Sequence, residues 1–351
     1  MKKATLTLVL FAFILTSLAG CGSTAAQKDE EVYKLDVVMD NVSINRPLVV
    51  IAKLKGYFEE EGLDVTYTNL TSGVIEAISI GKSDATLSGI IPSLTYAAQK
   101  AELTVFAGTA SGGNFIISLP EKAEELSDIN NWKGKKLGTV RLSTSELVSR
   151  SALEKRGIDI SKDITYVEID SYPNIVEAVR KGTIDIGFVS SEYGKIGIDL
   201  GLEILFPMTD MSENYVCCRQ TAYTPSVKGN RDAFVKFLKG QIRAYKDFNE
   251  QQDEVVKLLA EYSSQTEEYV YDYLYNPEFN ANRTFSPDPA INKIREVYET
   301  LEKWDYVEEG VKVEDFVDIT LYQDALKSIL EEYPDEPVFK TLEEAFQKDN
   351  F

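Results

Sequence analysis

The chain has 351 residues, and its 57 acidic side chains outnumber its 37 basic ones, giving a formal net charge of −20. A body this acidic repels phosphate backbones, so nucleic-acid binding is not expected. The sequence contains no histidine, which excludes Ser-His-Asp and Cys-His catalysis and histidine-ligated metals. The length allows two globular units. The composition therefore favours binding over catalysis, and we expect no enzyme activity, no cofactor and no metal.

The first two dozen residues have the pattern of an export signal. Two lysines precede an uncharged, mostly apolar run over residues 4–15, and small residues then lead to Cys21. This pattern is typical of a secretory signal, and the run is shorter than the roughly 20 apolar residues that span a membrane. The ending resembles a bacterial lipoprotein signal, which implies removal of residues 1–20, lipid on Cys21 and a polar tether over 21–32. We therefore expect an extracytoplasmic protein, anchored to the bacterial cell membrane.

After the tether, predicted strands and helices alternate along the chain. Residue alternation predicts strands over 33–39, 63–70, 84–88, 103–108, 136–140, 164–169, 184–189 and 202–206. Apolar spacing predicts helices between them over 47–58, 73–81, 92–101, 145–156 and 175–181, and then further helices over 231–249, 253–262, 266–275, 288–304 and 319–332. Strands separated by helices of this length indicate crossover connections, and thus an α/β protein with largely parallel sheet.

A short pattern recurs in the two halves of the α/β region. An apolar helical segment is followed by Gly81 and Asp84 in the first half, and by Gly182 and Asp185, 101 positions later, in the second. Any helix that ends in glycine before a strand gives a similar pattern. We nevertheless interpret the repeat as two α/β lobes of similar plan, and a cleft between two such lobes is a favoured place for a small ligand.

Four motifs follow one another in a characteristic order: Pro47–Ala52 with Gly56–Val65, Gly81–Asp84, Trp132–Gly138 and Gly182–Asp185. This order resembles the nitrate/sulfonate/taurine and pyrimidine-precursor class of solute-binding proteins, the NMT1/THI5-like family, which serves ABC importers. The resemblance implies a type II periplasmic-binding-protein fold with a ligand cleft between two lobes. One lobe would comprise residues 33–119 and 214–351, the other residues 120–213.

The resemblance also implies a function. We expect a monomeric binding protein that captures a small anionic or zwitterionic solute, of the aliphatic sulfonate or taurine type, and delivers it to an ABC permease in the membrane. A pyrimidine-type thiamine precursor or a related ring compound is an alternative solute. A cysteine-dependent enzyme on the same fold, or a sensor or adhesion lipoprotein, would be a different class of protein.

Hydroxyl, amide and glycine residues follow the predicted strands of the first lobe. In open α/β folds, ligands bind beyond the carboxyl ends of strands, where helix N-termini point into the cleft. Such residues offer hydrogen-bond donors to a sulfonate or carboxylate, although they also cap helices in any protein. The candidate ligand-binding residues of this lobe are Ser43, Asn45, Ser72, Gly73, Ser88, Gly89, Ser111, Gly112 and Gly113.

The second lobe offers a guanidinium beside a hydroxyl-rich helix start, over residues 141–145. The fork geometry of arginine suits sulfonate oxygens, but a surface ion pair with Glu146 is an equally simple interpretation. An acidic residue and an aromatic residue follow the 184–189 strand, where the resemblance implies ligand contacts, and the acid suits an amino group or a ring N–H. The candidates here are Arg141, Ser143, Thr144, Ser145, Glu192 and Tyr193.

Cys217 and Cys218 lie on the predicted return connection to the first lobe. Adjacent residues of a strand face opposite sides, so the two thiols need not act together, and we predict small buried apolar side chains. The alternative is a nucleophile. A pyrimidine-synthesising enzyme related to this fold has a cysteine cluster, but it also depends on histidine, which this chain lacks.

Overall fold

The strands of the molecule assemble into two mixed sheets with helices packed around them. The computed structural model describes residues 32–39, 44–70, 73–213 and 215–351. The predicted signal, nearly all of the tether, and the candidates Cys21, Ser43 and Ser72 lie outside the described residues. Of the helices within those ranges, none is long and apolar enough to cross a membrane.

The strands and helices follow one another much as the sequence predicts. The strands are β1 (Tyr33–Met39), β2 (Leu63–Asn69), β3 (Ala85–Gly89), β4 (Leu103–Ser111), β5 (Asn114–Ser118), β6 (Lys136–Thr139), β7 (Thr165–Glu168), β8 (Ile186–Ser190), β9 (Glu203–Pro207), β10 (Val216–Tyr223) and β11 (Thr284–Phe285). The helices of the α/β region are α1 (Pro47–Leu54), α2 (Tyr57–Glu60), α3 (Val74–Ser79), α4 (Ile90–Ala98), α5 (Pro120–Leu126), α6 (Thr144–Lys155), α7 (Tyr172–Arg180) and α8 (Ser191–Asp199). The C-terminal helices are α9 (Thr224–Gly229), α10 (Arg231–Glu250), α11 (Gln252–Ser263), α12 (Glu267–Leu274), α13 (Ile291–Lys303), α14 (Thr320–Glu332) and α15 (Pro337–Asn350).

The two sheets share a plan. The first has the strand order β11-β4-β10-β3-β1-β2, with β1, β2 and β3 parallel. The second has the order β7-β6-β8-β5-β9, with β6, β7 and β8 parallel. Each sheet also contains an antiparallel strand that the chain enters from the other sheet, β10 in the first and β5 in the second. The predicted α/β class is confirmed.

Two crossovers join the sheets. The chain leaves the first sheet after β4 and enters the second at β5, so this crossover lies at Gly112–Gly113, ahead of the boundary after residue 119 that the sequence predicts. The return crossover follows β9 and enters the first sheet at β10. The two crossovers lie side by side, because the Gly112 amide donates to the Tyr215 carbonyl at 3.1 Å and the Tyr215 hydroxyl donates to Asn114 Oδ1 at 2.8 Å.

The repeated sequence pattern is a repeated structure. Gly81 follows α3 with φ +70°, and Gly182 follows α7 with φ +66°, so both use the left-handed conformation that glycine adopts at low cost. The Asp84 carboxylate then accepts a backbone N–H of β1 at 2.9 Å, and the Asp185 carboxylate accepts the N–H of the first β6 residue, also at 2.9 Å. The interpretation of two halves with a similar plan is confirmed.

Aromatic side chains fill the cores on both sheets. Phe234 and Phe237 of α10 are fully buried against the first sheet, where Phe237 stacks on Phe58 with ring centroids 5.1 Å apart. Trp132 is fully buried against the second sheet, beside Phe188. The predicted helix over 47–58 is broken into α1 and α2 at a glycine with positive φ. These cores hold the strand ends and the crossovers in place.

Candidate functional site

Arg283 lies at the junction of the two sheets, immediately before β11. Its Nη2 donates to the Gly113 carbonyl at 3.2 Å and lies 3.7 Å from Glu192 Oε2. Its guanidinium covers the ring of Tyr273, 4.4 Å from the centroid. The side chain is 9% exposed, and its buried Nη1 has no hydrogen-bond partner among the residues that the structure describes. Arg283 therefore connects the first-sheet side of the molecule to Glu192, which follows a strand of the second sheet.

Position 113 must be glycine because the Arg283 side chain lies against it. Its φ is +89°, and a Cβ at this position would lie 2.3 Å from Arg283 Nε. The Gly113 N–H donates to the carbonyl of Ala281, and its own carbonyl accepts from the N–H of Ser191 at 3.0 Å as well as from Arg283. The crossover backbone, the start of α8 and the segment before β11 are thus held together at one point.

Glu192 is partly buried, yet its surroundings keep its carboxylate ionised. Burial would raise the pKa of Glu192, but the positive charge of Arg283 and interactions with Ser190 and Tyr273 outweigh it and hold that pKa below its ordinary value. Its side chain is 29% exposed, while Oε2 itself is inaccessible to solvent. The arrangement therefore presents an anion and a cation within 4 Å of each other.

The carboxyl end of β3 adds further polar groups. Arg46, which precedes α1, is buried and its Nε donates to the Leu87 carbonyl at 2.9 Å. The neighbouring Ser88 is 4% exposed, and its Oγ has no hydrogen-bond partner within the described ranges. The next residue, Gly89, pairs with Cys218 of β10. Arg46 and Ser88 thus stand where parallel strands end, as ligand-binding groups do in open α/β folds.

Tyrosines surround these charged groups. Tyr172 begins α7, and its ring lies 5.8 Å from that of Tyr193, measured between centroids. Burial is the main cause that raises the pKa of Tyr172, Tyr215 and Tyr273 above the usual value for a phenol. These hydroxyls therefore remain neutral and can both donate and accept hydrogen bonds.

The charged and polar groups at the junction act on one another electrostatically. Arg283 and Arg46 both act electrostatically to lower the pKa of Cys217, and Glu192 acts to raise that of Tyr172. Both arginines and Glu192 also influence the pKa of Tyr273. We call this set the Arg283 cluster; its members are Arg46, Ser88, Gly113, Asn114, Tyr172, Glu192, Tyr215, Cys217, Cys218, Tyr273 and Arg283.

Arg141, the predicted anion clamp, lies on the surface. Its side chain is 65% exposed, and its Nε is 3.9 Å from Glu168. Its neighbour in the alternative interpretation, Glu146, is fully buried and pairs instead with Arg150 at 2.8 Å. Arg141 therefore contacts a carboxylate, but a different one from the one that the sequence suggested.

The hydroxyls that follow Arg141 serve the helix. Ser143 is the N-cap of α6, where its Oγ accepts from the Glu146 N–H at 3.2 Å. Its Oγ also lies 2.9 Å from the Ser145 Oγ, and both Thr144 and Ser145 are buried. The capping interpretation explains Ser143, since an N-cap hydroxyl satisfies an otherwise unpaired amide.

The remaining candidates occupy separate places in the fold. Gly73 is the exposed N-cap of α3, with φ +76°. Asn45 lies next to Arg46, whose Nη1 donates to the Asn45 carbonyl at 3.1 Å. Ser111 ends β4 and pairs there with Val216 of β10. Of the predicted site residues that the structure describes, Ser88, Gly113 and Glu192 fall within the Arg283 cluster. Beside it lie Asn45, Gly89, Gly112 and Tyr193.

Sequence reasoning missed Arg283, Tyr273 and Tyr172. Arg283 belongs to a loop rich in asparagine and proline, far along the chain from the predicted cleft segments. Tyr273 and Tyr172 sit in helices, where a tyrosine is most simply read as packing. A lone arginine between turn residues was the one local signal for Arg283, and it is a weak one.

The molecule has two β-sheets that are flanked by helices and joined by paired crossovers, with a charged cluster at the carboxyl ends of their strands. This is the architecture of periplasmic binding proteins. A family model described as "NMT1/THI5 like" matches residues 45–255, which is more than half of the chain. The chain therefore belongs to the NMT1/THI5-like family, and the predicted resemblance is confirmed.

The relatives comprise binding proteins and enzymes. YtlA of Bacillus subtilis (strain 168), whose name provisionally assigns it a binding function, is 26% identical over 292 residues, which cover 80% of this chain and 84% of YtlA. A 4-amino-5-hydroxymethyl-2-methylpyrimidine phosphate synthase of Candida albicans (strain WO-1) is 25% identical over 215 residues, covering 56% of this chain and 61% of the synthase.

The fold also matches solved structures. One, from Methylobacillus flagellatus KT, is described provisionally as the periplasmic sulfonate-binding protein SsuA of a sulfonate ABC transporter. It superposes with a TM-score of 0.67 at 17% identity and covers 85% of this chain and 96% of its own. At this identity the similarity establishes the fold, and the predicted periplasmic-binding-protein fold is confirmed.

Proposed function

We propose that this protein is the extracytoplasmic solute-binding lipoprotein of an ABC importer, anchored by lipid on Cys21 and working as a monomer with a membrane permease. The lobes lie on either side of the two crossovers, and the solute binds between them at the Arg283 cluster. The solute is small and carries an anionic group, as an aliphatic sulfonate or the zwitterion taurine does. The kinship with YtlA and the fold shared with a sulfonate-binding protein support the class of function.

One observation carries the choice of an anionic solute. Arg283 is a buried cation, and among the described residues its ion-pair partner is Glu192, which is 3.7 Å away, beyond the length of a charge-assisted hydrogen bond. Its Nη1 donors lack partners in the described part of the chain. Leaving a buried donor unsatisfied costs about 1–3 kcal/mol, and more for a charged group. A sulfonate or carboxylate at this nitrogen would remove that cost, and the fork of arginine suits either anion.

Glu192 extends the proposal to a zwitterion. Its carboxylate is held charged beside Arg283, so an ammonium group on the solute can interact with Glu192 while the anionic group meets the guanidinium. Taurine carries both charges two carbons apart, which matches a cation and an anion that lie close together.

The test is a titration of the full chain with taurine, short alkanesulfonates and nitrate, followed by thermal unfolding. A bound solute at about one hundred times its Kd should add about 2.7 kcal/mol of stability. Arg283→Gln should weaken binding of the best anionic solute by about tenfold to a hundredfold, because a charge-assisted hydrogen bond contributes about 1.5–3 kcal/mol. Arg283→Lys keeps the positive charge but loses the forked guanidinium. Its affinity for the solute should lie between that of the wild type and that of Arg283→Gln.

The controls separate the proposed site from the alternatives. Arg180→Gln removes an exposed arginine of α7 that pairs with Glu177, and it should leave the affinity unchanged. Arg141→Gln tests the clamp that the sequence predicts. Loss of binding in Arg141→Gln but not in Arg283→Gln would move the anion site to the start of α6, and an absence of any anion-induced stabilisation would contradict the proposed solute class.

A ring compound is a second candidate, supported by the aromatic walls of the cluster. The rings of Tyr172 and Tyr193 lie 5.8 Å apart at 39°, and Tyr273 lies beside Glu192. A planar heterocycle can stack on tyrosine, and a charged carboxylate suits its amino group. The kinship with a pyrimidine phosphate synthase supports the same candidate. This candidate would be favoured if an aminopyrimidine bound without competing with anions. Its affinity should then fall in Glu192→Gln but not in Arg283→Gln.

A cysteine-dependent enzyme has less support. A hydrogen bond with Cys218 and burial raise the pKa of the Cys217 thiol well above its usual value, although the charges of Arg283 and Arg46 oppose the rise. The thiolate is the nucleophilic form, so a raised pKa opposes that role at neutral pH. We therefore propose binding without turnover. Serine at both cysteine positions should preserve solute binding, whereas an enzyme of this kind would lose its turnover.

A further inference from the structure

Cys217 and Cys218 share one face of β10, contrary to the prediction from strand geometry. Val216 pairs with Ser111 of β4, and Cys218 pairs with the preceding residue of β4, so Cys217 has no counterpart and forms a bulge. A bulge changes the side to which the following residues point. As a result, the two sulfur atoms lie 3.1 Å apart.

The paired thiols belong to the wall of the proposed cleft. Cys218 pairs with Gly89 at the carboxyl end of β3, beside Ser88. Cys217 lies within electrostatic range of the guanidinium groups of Arg283 and Arg46, and the hydroxyl of Tyr172 lies within range of Cys217. A chemical change at the sulfurs therefore reaches the groups to which we assign solute binding.

We propose that Cys217 and Cys218 form a reversible vicinal disulfide, and that its formation changes solute binding at the Arg283 cluster. Two S–H bonds break and one S–S bond forms. The two electrons and two protons pass to a low-molecular-weight disulfide such as oxidised glutathione, which is cleaved into two thiols. One cysteine, as its thiolate, first forms a mixed disulfide with that oxidant, and the second cysteine displaces the leaving thiol. The raised pKa of Cys217 leaves little thiolate at neutral pH, so this exchange is slow and becomes faster as the pH rises.

The geometry favours a disulfide that is readily reduced. Adjacent Cα atoms are about 3.8 Å apart, whereas most protein disulfides join Cα atoms about 4.4–6.8 Å apart. A disulfide between two adjacent residues therefore strains the backbone of β10. Strained disulfides have more oxidising potentials and are the labile ones. A site of this kind responds to the thiol–disulfide balance of its surroundings.

Oxidation should alter the cleft for two reasons. It removes both S–H donors from the neighbourhood of Arg283, and it moves β10, the strand that lies between β3 and β4. The modification itself does not depend on the solute, whereas its effect on binding rests on the function proposed above. The two claims can therefore fail separately.

The experiment uses the full chain with Cys21→Ser, which leaves Cys217 and Cys218 as its cysteines. The protein is equilibrated with mixtures of reduced and oxidised glutathione, quenched in acid, denatured, alkylated and weighed by intact mass spectrometry. We expect a species that has lost two hydrogens, carries no glutathione and takes up no alkyl group, and that dithiothreitol reverses. Cys217→Ser and Cys218→Ser should each abolish it.

Two results would overturn the proposal. Uptake of two alkyl groups at every glutathione ratio, or a mixed disulfide with glutathione as the sole product, would show that the sulfurs do not join. For the second claim, the affinity for the best solute is measured in both redox states, and we expect a change of about tenfold. Equal affinities would contradict the effect on binding even if the disulfide forms. A lack of solute binding in both states would count against the proposed function, while the mass measurement would still decide the modification.

Discussion

Gly113→Ala should disturb the Arg283 cluster through a single added methyl group. The glycine has φ +89°, and the new Cβ would lie 2.3 Å from Arg283 Nε, a distance that forces the guanidinium to move. Movement breaks the hydrogen bond from Arg283 to the Gly113 carbonyl and changes its distance to Glu192. Gly157→Ala is the matched control, because Gly157 has φ +77° and its Cβ would meet nothing within 4 Å.

The expected magnitudes follow from these two differences. An alanine forced into the left-handed region costs about 1–2 kcal/mol, and both variants carry this strain. Gly113→Ala also loses a hydrogen bond from a charged donor, which contributes about 1.5–3 kcal/mol. We therefore expect the free energy of unfolding to fall by about 1–2 kcal/mol in Gly157→Ala and by about 2.5–5 kcal/mol in Gly113→Ala.

Urea unfolding of both variants measures these values, with an unchanged m-value as the sign that the comparison is sound. Solute titration of the folded variants then measures the affinity, which should fall about tenfold or more in Gly113→Ala and remain unchanged in Gly157→Ala. Equal destabilisation of the two variants, or wild-type affinity in Gly113→Ala, would refute the view that Gly113 is a glycine because of Arg283.

Two further predictions concern the repeated aspartate and the contact between the sheets. Burial would raise the pKa of Asp185, but Lys122 and a β6 backbone N–H outweigh burial and lower it. The contribution of Asp185 to the stability of the fold is therefore complete above about pH 4 and is lost as the pH falls further. Urea midpoints between about pH 3 and pH 7 should accordingly show a flatter acid limb in Asp185→Asn, and an unchanged slope would contradict the assignment. Lys195 of α8 pairs with Asp272 of α12 at 2.6 Å, so Lys195→Met should lower solute affinity by about two- to fivefold in calorimetric titration. Lys162→Met breaks a local ion pair within one turn and should leave the solute affinity unchanged. Equal losses of affinity in the two lysine variants would contradict the role assigned to Lys195.

The order of elements could be predicted from the sequence because its signals are local. Alternation and apolar spacing locate most strands and helices, and the glycine–aspartate pattern carries the repeat. The helix α8 was missed because Gly194 and Gly197 lower helix propensity. In the structure a Cβ on Gly194 would lie 2.5 Å from the ring of Phe115, so glycine is needed there for α8 to approach β5.

The candidate site could be predicted only in part. Ser88 lies near the end of β3, Gly113 and Glu192 follow strand ends, and the rule that ligands bind at strand ends groups the three residues. Arg283 reaches the same place because the two-residue strand β11 pairs with β4, a contact between distant segments that leaves no pattern in the sequence. Arg141 shows the opposite error: it stands at a helix start, yet its side chain points to solvent beside Glu168.

The crossovers and the Arg283 cluster share hydrogen-bonded atoms, so the proposed solute binding would act on the geometry of the crossovers. The Gly113 carbonyl accepts from Arg283 and from the start of α8, while Asn114 and Tyr215 join the two crossovers to each other. A solute that draws the guanidinium or Glu192 toward itself must therefore change contacts that set the crossover geometry. A ligand shifts a conformational equilibrium by its difference in affinity for the two states. Under the function proposed above, that difference would arise at the two crossovers, so substitutions that alter a crossover should change the affinity without touching the solute.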